Sequence, residues 1–168
     1  MKRIEMLLIA GMLFICFGLS AEISHHEIKD LENPFVTDGI TIYIDWDYKV
    51  WIVKWVDTHH TWYTLEVEYN GTDWRFLDGK VRILTKDGLT RLEDRDPRRR
   101  VREGGVTETV TVQIELGLIE SIMKSEEVKI QFYIEPVSIP PEGLSDLRDF
   151  YEEHISSDSS AADPTTSP

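Results

Sequence analysis

Cysteine is nearly absent from this chain. Among 168 residues there is one, Cys16, so no intrachain disulfide can staple the fold and its stability must come from a buried core. Positive charge is also scarce: 18 Lys and Arg stand against 31 Asp and Glu, for a net charge of −13. A general nucleic-acid binder is thereby disfavoured, because displacing counterions from phosphate needs a positive face. No apolar run reaches the ~20 residues of a membrane-spanning helix; the run Leu7 to Leu19 has 13. Also missing are a G-x-S-x-G elbow, a glycine-rich loop opening a helix, an H-x-x-x-H pair, a recognisable calcium loop and any internal repeat. No cofactor, resident metal or catalytic residue is therefore expected. What remains, 41% hydrophobic and 29% charged residues, fits one ordinary globular domain.

The N-terminus reads as a cleaved secretory signal over residues 1–21. Lys2 and Arg3 make a basic start, Leu7 to Leu19 an apolar core, and Gly18, Ser20 and Ala21 a small-residue cleavage region. Bulky Phe14 and Ile15 before Cys16 disfavour lipoprotein anchoring through that thiol. Cleavage after Ala21 would remove Cys16 together with Lys2, Arg3 and Glu5, so the mature charge becomes −14. The expected product is periplasmic or secreted, with a folded domain at 22–155 and a disordered Ser/Ala/Asp/Thr/Pro tail at 156–168.

Within the domain the dominant period is two. Ile40, Ile42, Ile44 and Trp46 alternate with polar neighbours, and so do Tyr63, Leu65, Val67 and Tyr69. The apolar run Val50–Val56 and the following polar residues predict an antiparallel hairpin with Val56 opposite Trp62. That register puts Trp51, Val53 and Trp55 on the core side and requires a bulge or turn near Asp47-Tyr48-Lys49. Asn70-Gly71 predicts a turn, followed by a strand containing Trp74 and Phe76. Asp78-Gly79 and Asp87-Gly88 predict turns around Val81 and Ile83. Val106, Val110, Val112 and Ile114 share the core parity of a further strand, and Val128, Ile130, Phe132 and Ile134 alternate again. Leu144, Leu147, Phe150, Tyr151 and Ile155 recur at helical spacing. The fold class predicted is all-β: an antiparallel β-sandwich of about seven strands with one C-terminal amphipathic helix.

Three groups of side chains are candidates for a site. Five tryptophans lie between Trp46 and Trp74; Trp46, Trp51, Trp55 and Trp74 are expected in the core and Trp62 on the polar face, where its ring could stack on sugar. Asp45 and Asp47 flank Trp46 and could accept sugar hydroxyls or serve as a carboxylate pair. The doublets His25-His26 and His59-His60 and the lone His154 read as loop and terminal residues rather than metal ligands. The stretch Arg91 to Glu103 is a positive island on an acidic chain. Read as a long charged loop, it offers Arg95, Arg98, Arg99, Arg100 and Arg102 to a carboxylate, phosphate or sulfate partner. The leading expectation is an exported, non-catalytic module that contacts an envelope or extracellular protein or a polyanion through this loop. The alternatives are a glycan-binding module using Trp62, Asp45 and Asp47, and a carboxylate-based hydrolase.

Overall fold

A computed structural model describes residues 23–28, 35–94, 96–134 and 136–156. The expected signal at 1–21 with Cys16, the tail beyond Ser156, and Arg95 lie outside the described residues. Strand dominates, in two antiparallel sheets accompanied by two helices. The larger sheet is built from β1 (Ile23–Ile28), β2 (Phe35–Ile44), β3 (Tyr48–Val56), β4 (Thr61–Gly71), β8 (Gly105–Ile114) and β7 (Arg98–Arg102), in that spatial order. The smaller has the order β10 (Val137–Ser138), β9 (Lys129–Gln131), β5 (Lys80–Thr85), β6 (Gly88–Glu93).

Alternation decides which face of each strand is buried. Ile40, Ile42, Val50, Ile52, Leu65, Val67, Val110, Val112 and Ile114 point from the large sheet into one core, where Val81, Ile83 and Ile130 of the small sheet meet them. The four-stranded sheet is narrower than the six-stranded one, and helices complete the cover. Helix α1 (Leu116–Met123) contributes Ile119 and Ile122, and α2 (Pro141–His154) contributes Leu144, Leu147 and Phe150. Pro141 opens α2, where its missing N–H costs nothing. At the other end of α2 the buried Lys54 ammonium donates to the carbonyl of His154, placing a cation at the negative end of the helix.

The β3–β4 hairpin departs from the expected register by one residue. Val56 faces Thr61, so Trp55 faces Trp62 while Ile52 and Val50 face Leu65 and Val67. A one-residue slip turns every side chain to the opposite face. Trp51, Val53 and Trp55 consequently lie on the outer face of the large sheet, and Ile52 and Val50 fill the core. The turn itself fixes this. The Asp57 carboxylate accepts the backbone N–H groups of His59 and His60, both at 2.7 Å, closing a short connection before Thr61. Those two bonds also hold the Asp57 carboxyl below the usual carboxylate range. The expected break after the first strand is present at Asp45–Asp47, and a register shift between Thr41 and Tyr43 accompanies it.

Three of the four tryptophans expected in the core lie outside it: Trp46 is fully exposed, and Trp51 and Trp55, like Trp62, are half-buried on the outer face, while Trp74 is partly buried and packs against the core. Asn70-Gly71 is not a turn but the end of β4, paired with Thr107 and Val106 of β8. Residues Trp74 to Leu77 form a loop rather than a strand. The expected long loop at Arg91–Glu103 is likewise structured, as the end of β6, a short crossing and strand β7. Asp94 ties the crossing down: its side chain accepts Thr111 N–H at 2.8 Å and Asp96 N–H at 2.9 Å.

Helix α2 lies on β2 at very close range. A Cβ added to Gly143 would sit 2.1 Å from the Ile42 carbonyl oxygen. Gly143→Ala is therefore expected to destabilise by about 1–3 kcal/mol through overpacking, although Ala is the better helix former by about 1 kcal/mol. Urea denaturation reads the sign directly, and a stabilised variant would show that α2 does not seat on Ile42.

Candidate functional site

Several connections meet at one end of the two sheets, hereafter the apex. Backbone pairing sets their neighbourhood. The Asn70 N–H donates to the Asp47 carbonyl at 2.8 Å, so the β2–β3 turn adjoins the end of β4. Gly71 faces Val106, which faces Val101, so the β7–β8 turn lies beside both. Phe132 packs on Tyr48 with ring centroids 4.9 Å apart, bringing the chain after β9 to the same end.

The central polar group is Glu108. It occupies a core-facing position of β8 and is fully buried. A buried carboxylate needs compensating donors, and here successive backbone N–H groups supply them: Arg75 at 2.5 Å, Phe76 at 2.9 Å and Leu77 at 2.9 Å. Arg99 completes the shell, its Nε 3.4 Å from Glu108 and its Nη2 donating to the Leu77 carbonyl at 2.9 Å. The carboxylate thus moulds the β4–β5 loop, with Phe76 at a positive φ of 57°. Composition does not reveal this role. The available signal is an acid on the inward parity between Val106 and Val110.

Two adjoining clefts open at the apex. The larger, about 620 Å³, is lined by Asp47, Tyr69, Asp73, Trp74, Arg75, Arg102, Glu103 and Tyr133 among others. The smaller, about 340 Å³, shares Arg75 and Tyr133 and adds Asp45, Tyr48, Phe132 and Ile134. Arg75 is held between them, 3.8 Å from the Asp47 carboxylate and above the rings of Tyr69 (5.4 Å) and Tyr133 (5.9 Å).

Asp45 and Asp47 accordingly differ in role. Asp45 builds its own turn: Oδ1 accepts Asp47 N–H at 2.9 Å and Tyr48 N–H at 2.6 Å, while Oδ2 accepts the Tyr43 hydroxyl at 2.6 Å. Burial, and after it that bond, push the Tyr43 phenol up to about 12. Asp47 faces the larger cleft and orients Arg75. Trp62 is nowhere near either. It begins β4 while Asp47 adjoins the end of that strand, some 26 Å away at about 3.3 Å per residue. The trio proposed for sugar is therefore not one site.

Trp62 instead stacks on Trp55 across the outer sheet face, with centroids 6.0 Å apart and planes 5° from parallel. The Trp55 indole donates to Thr64 Oγ1 at 2.9 Å, and Thr64 lies 3.4 Å from Glu66 Oε1. Burial raises the Glu66 carboxyl above the usual carboxylate range, opposed by the Arg98 guanidinium.

The arginines are sorted by strand parity. Arg98, Arg100 and Arg102 face Thr109, Thr107 and Gly105, on one side of β7; Arg99 faces Glu108 on the other. Arg99 is thus part of the clamp around Glu108, whereas Arg98, Arg100 and Arg102 form an exposed file on an edge strand. Successive members are about 6.6 Å apart, and Arg102 ends the file at the larger cleft. Among the described residues no group of three His, Cys, Asp or Glu comes together in a way that could hold a metal ion. Comparison with protein-family models, curated proteins and solved structures gives no match, so the chemistry of these residues carries the functional reading alone.

Glu108, fully buried, and Glu66, half-buried, each yield a test. Glu108→Gln leaves a donor facing donors and is expected to cost about 3 kcal/mol, with faster tryptic cleavage after Arg75; an unchanged denaturation midpoint would refute the clamp. For Glu66 the folded pKa is raised, so ionisation is penalised in the native state. That penalty is absent below the unfolded value of about 4.3 and complete above the folded one. Glu66→Gln should raise the urea midpoint at neutral pH and leave it unchanged in acid.

Proposed function

We propose that this protein is an exported β-sandwich binding module, without catalytic chemistry of its own, that holds an anionic partner along β7 and in the apex cleft. The observation that carries the reading is the exposed file Arg98–Arg100–Arg102, which runs into a cleft where Arg75 is already oriented by Asp47 and two tyrosine rings. Guanidinium groups at regular spacing suit a chain that carries carboxylate, phosphate or sulfate groups along its length, such as an acidic protein segment or a charged glycan. The acidic body repels the same partner, so contact is confined to the arginine face. Export is supported by the basic, apolar and small-residue succession of residues 1–21.

A second reading, a sugar ring stacked at the outer face, is favoured by the parallel indoles of Trp55 and Trp62. The carboxylate-hydrolase alternative gains nothing, since Asp45 is consumed by its turn and Asp47 by Arg75.

Retention on immobilised heparin and on immobilised polyglutamate tests the leading reading. Arg100→Gln with Arg102→Gln should elute at clearly lower salt than wild type. Arg82→Gln with Arg91→Gln, which removes the same charge from the small sheet, should elute as wild type does. Equal losses in the two double variants would reduce the effect to net charge. Arg99 must be spared in such variants, because its substitution disturbs Glu108 and the loop it holds.

A further inference from the structure

The apex also gathers apolar side chains that the core does not use. Trp46 is 100% exposed at the tip of the β2–β3 turn, Phe76 67% exposed in the β4–β5 loop, Ile134 71% exposed after β9, and Val101 79% exposed beside the β7–β8 turn. They come from separate segments, yet all stand at one end of the sheets: Ile134 lines the smaller cleft, and Trp46, Phe76 and Val101 are next in sequence to the cleft residues Asp47, Arg75 and Arg102. One of them is held out at a cost. Phe76 adopts a positive φ, a conformation that burdens a non-glycine residue by roughly 1–3 kcal/mol. The fully buried Glu108 fixes that loop by accepting its consecutive N–H groups. A strained backbone and a buried carboxylate thus keep a phenyl ring in water, which a fold selected for stability alone would not need.

We propose that the apex docks on the surface of a phospholipid bilayer, with Trp46, Phe76, Ile134 and Val101 inserted at the interface and a headgroup in the cleft between them. The arrangement suits a bilayer better than a protein partner. Protein interfaces place apolar contact at the centre and polar residues at the rim; here exposed apolar side chains stand singly on separate segments beside clefts that carry both signs of charge. Indole and aliphatic tips partition into the headgroup layer. The cleft between them presents Arg75 and Arg102 to a phosphate, with Asp73 and Glu103 available to an amine, matching a zwitterionic headgroup. No helix among the described residues is long and apolar enough to cross a membrane; the contact is peripheral. It shares Arg102 and the apex cleft with the anionic-partner reading but stands on the apolar tips, whose removal leaves the Arg98–Arg102 file intact, so the two can fail separately.

The test is cosedimentation of the full chain with phosphatidylcholine–phosphatidylethanolamine vesicles, read together with Trp46 fluorescence as the difference between wild type and Trp46→Phe. Wild type should partition to the vesicles, with Trp46 emission blue-shifted and quenched by brominated acyl chains. Trp46→Ser with Phe76→Asn and Ile134→Ser should bind about tenfold more weakly or less. Leu84→Ser with Leu89→Ser, which removes exposed apolar groups from the β5–β6 hairpin, should bind as wild type. All variants carry the same N-terminus, and quenching of Trp46 by brominated chains reports the apex itself, so lipid contact by Leu7–Leu19 cannot stand in for it. Phe76→Asn alone should keep or raise the denaturation midpoint, since Asn tolerates positive φ; a large loss would assign Phe76 to stability. Equal binding by the apex and hairpin variants, an unmoved Trp46 spectrum, or a concentration-dependent dimer without vesicle binding would each overturn the proposal. Heparin retention that survives such a failure would leave the anionic-partner reading standing.

Discussion

The Glu108 carboxylate is the interaction on which the apex depends. An ionised acid inside a β-sheet core is tolerable only if its lone pairs are filled by donors that need not be desolvated separately. Backbone N–H groups of a loop are such donors, because a loop that failed to pair them would leave them buried and unsatisfied as well. The two problems cancel, and the result is a joint between β8, the β4–β5 loop and, through Arg99, edge strand β7. One carboxylate thereby sets where Arg75 and Phe76 stand and why Arg99 is tied to the clamp while its neighbours are not.

A second constraint is register. In β3 the run Val50–Val56 has apolar residues on both parities, and the one charge, Lys54, lies on the parity that faces inward, so hydrophobic pattern points to the wrong set. The Asp57 turn decides it in favour of Val50 and Ile52. The consequence is an outer sheet face furnished with Trp51, Trp55 and Trp62, where the Lys49 ammonium lies 5.2 Å from the Trp51 ring and the other two indoles stack. Large rings covering one another explain how these tryptophans are half-buried on a face that belongs to no core.

These particulars also explain what the sequence disclosed. Strand positions in β2, β4, β5 and β8 and the helix α2 were legible because each has one clean apolar parity or stripe. The Asn70-Gly71 signal misled because β8 pairs with both residues: Gly105 approaches so closely that a Cβ there would lie 2.4 Å from the Gly71 carbonyl oxygen. Long-range pairing outweighed local turn preference. Of the candidate site, the unusual composition of the arginine run was visible, but its division into a clamp and an exposed file depends on pairing with β8. Asp45 and Asp47 were conspicuous for the same reason, yet one carboxylate belongs to a turn and the other to a cleft. Glu108 was missed because an acid inside an apolar parity reads as an interruption until its partners are known.

The two ends of the molecule differ in how their side chains are satisfied. Opposite the apex, polar groups satisfy one another. Ser121 donates to the Thr85 hydroxyl at 2.8 Å and lies 2.6 Å from Asp87, while Lys86 N–H donates to Ser125 at 2.9 Å. The exposed aliphatics there, Leu84 and Leu89, lie in strands of ordinary conformation. That end also carries a cleft, of about 760 Å³, but Thr85, Asp87 and Ser121 in its wall are already paired with one another. At the apex the same scaffold holds loops whose side chains are left uncovered, one of them in a strained conformation. Rigid sheets that present costly loops are the usual arrangement for binding. What sets the apex apart is energetic: a non-glycine residue at positive φ, held there by the fully buried Glu108, is found at Phe76 and nowhere else among the described residues.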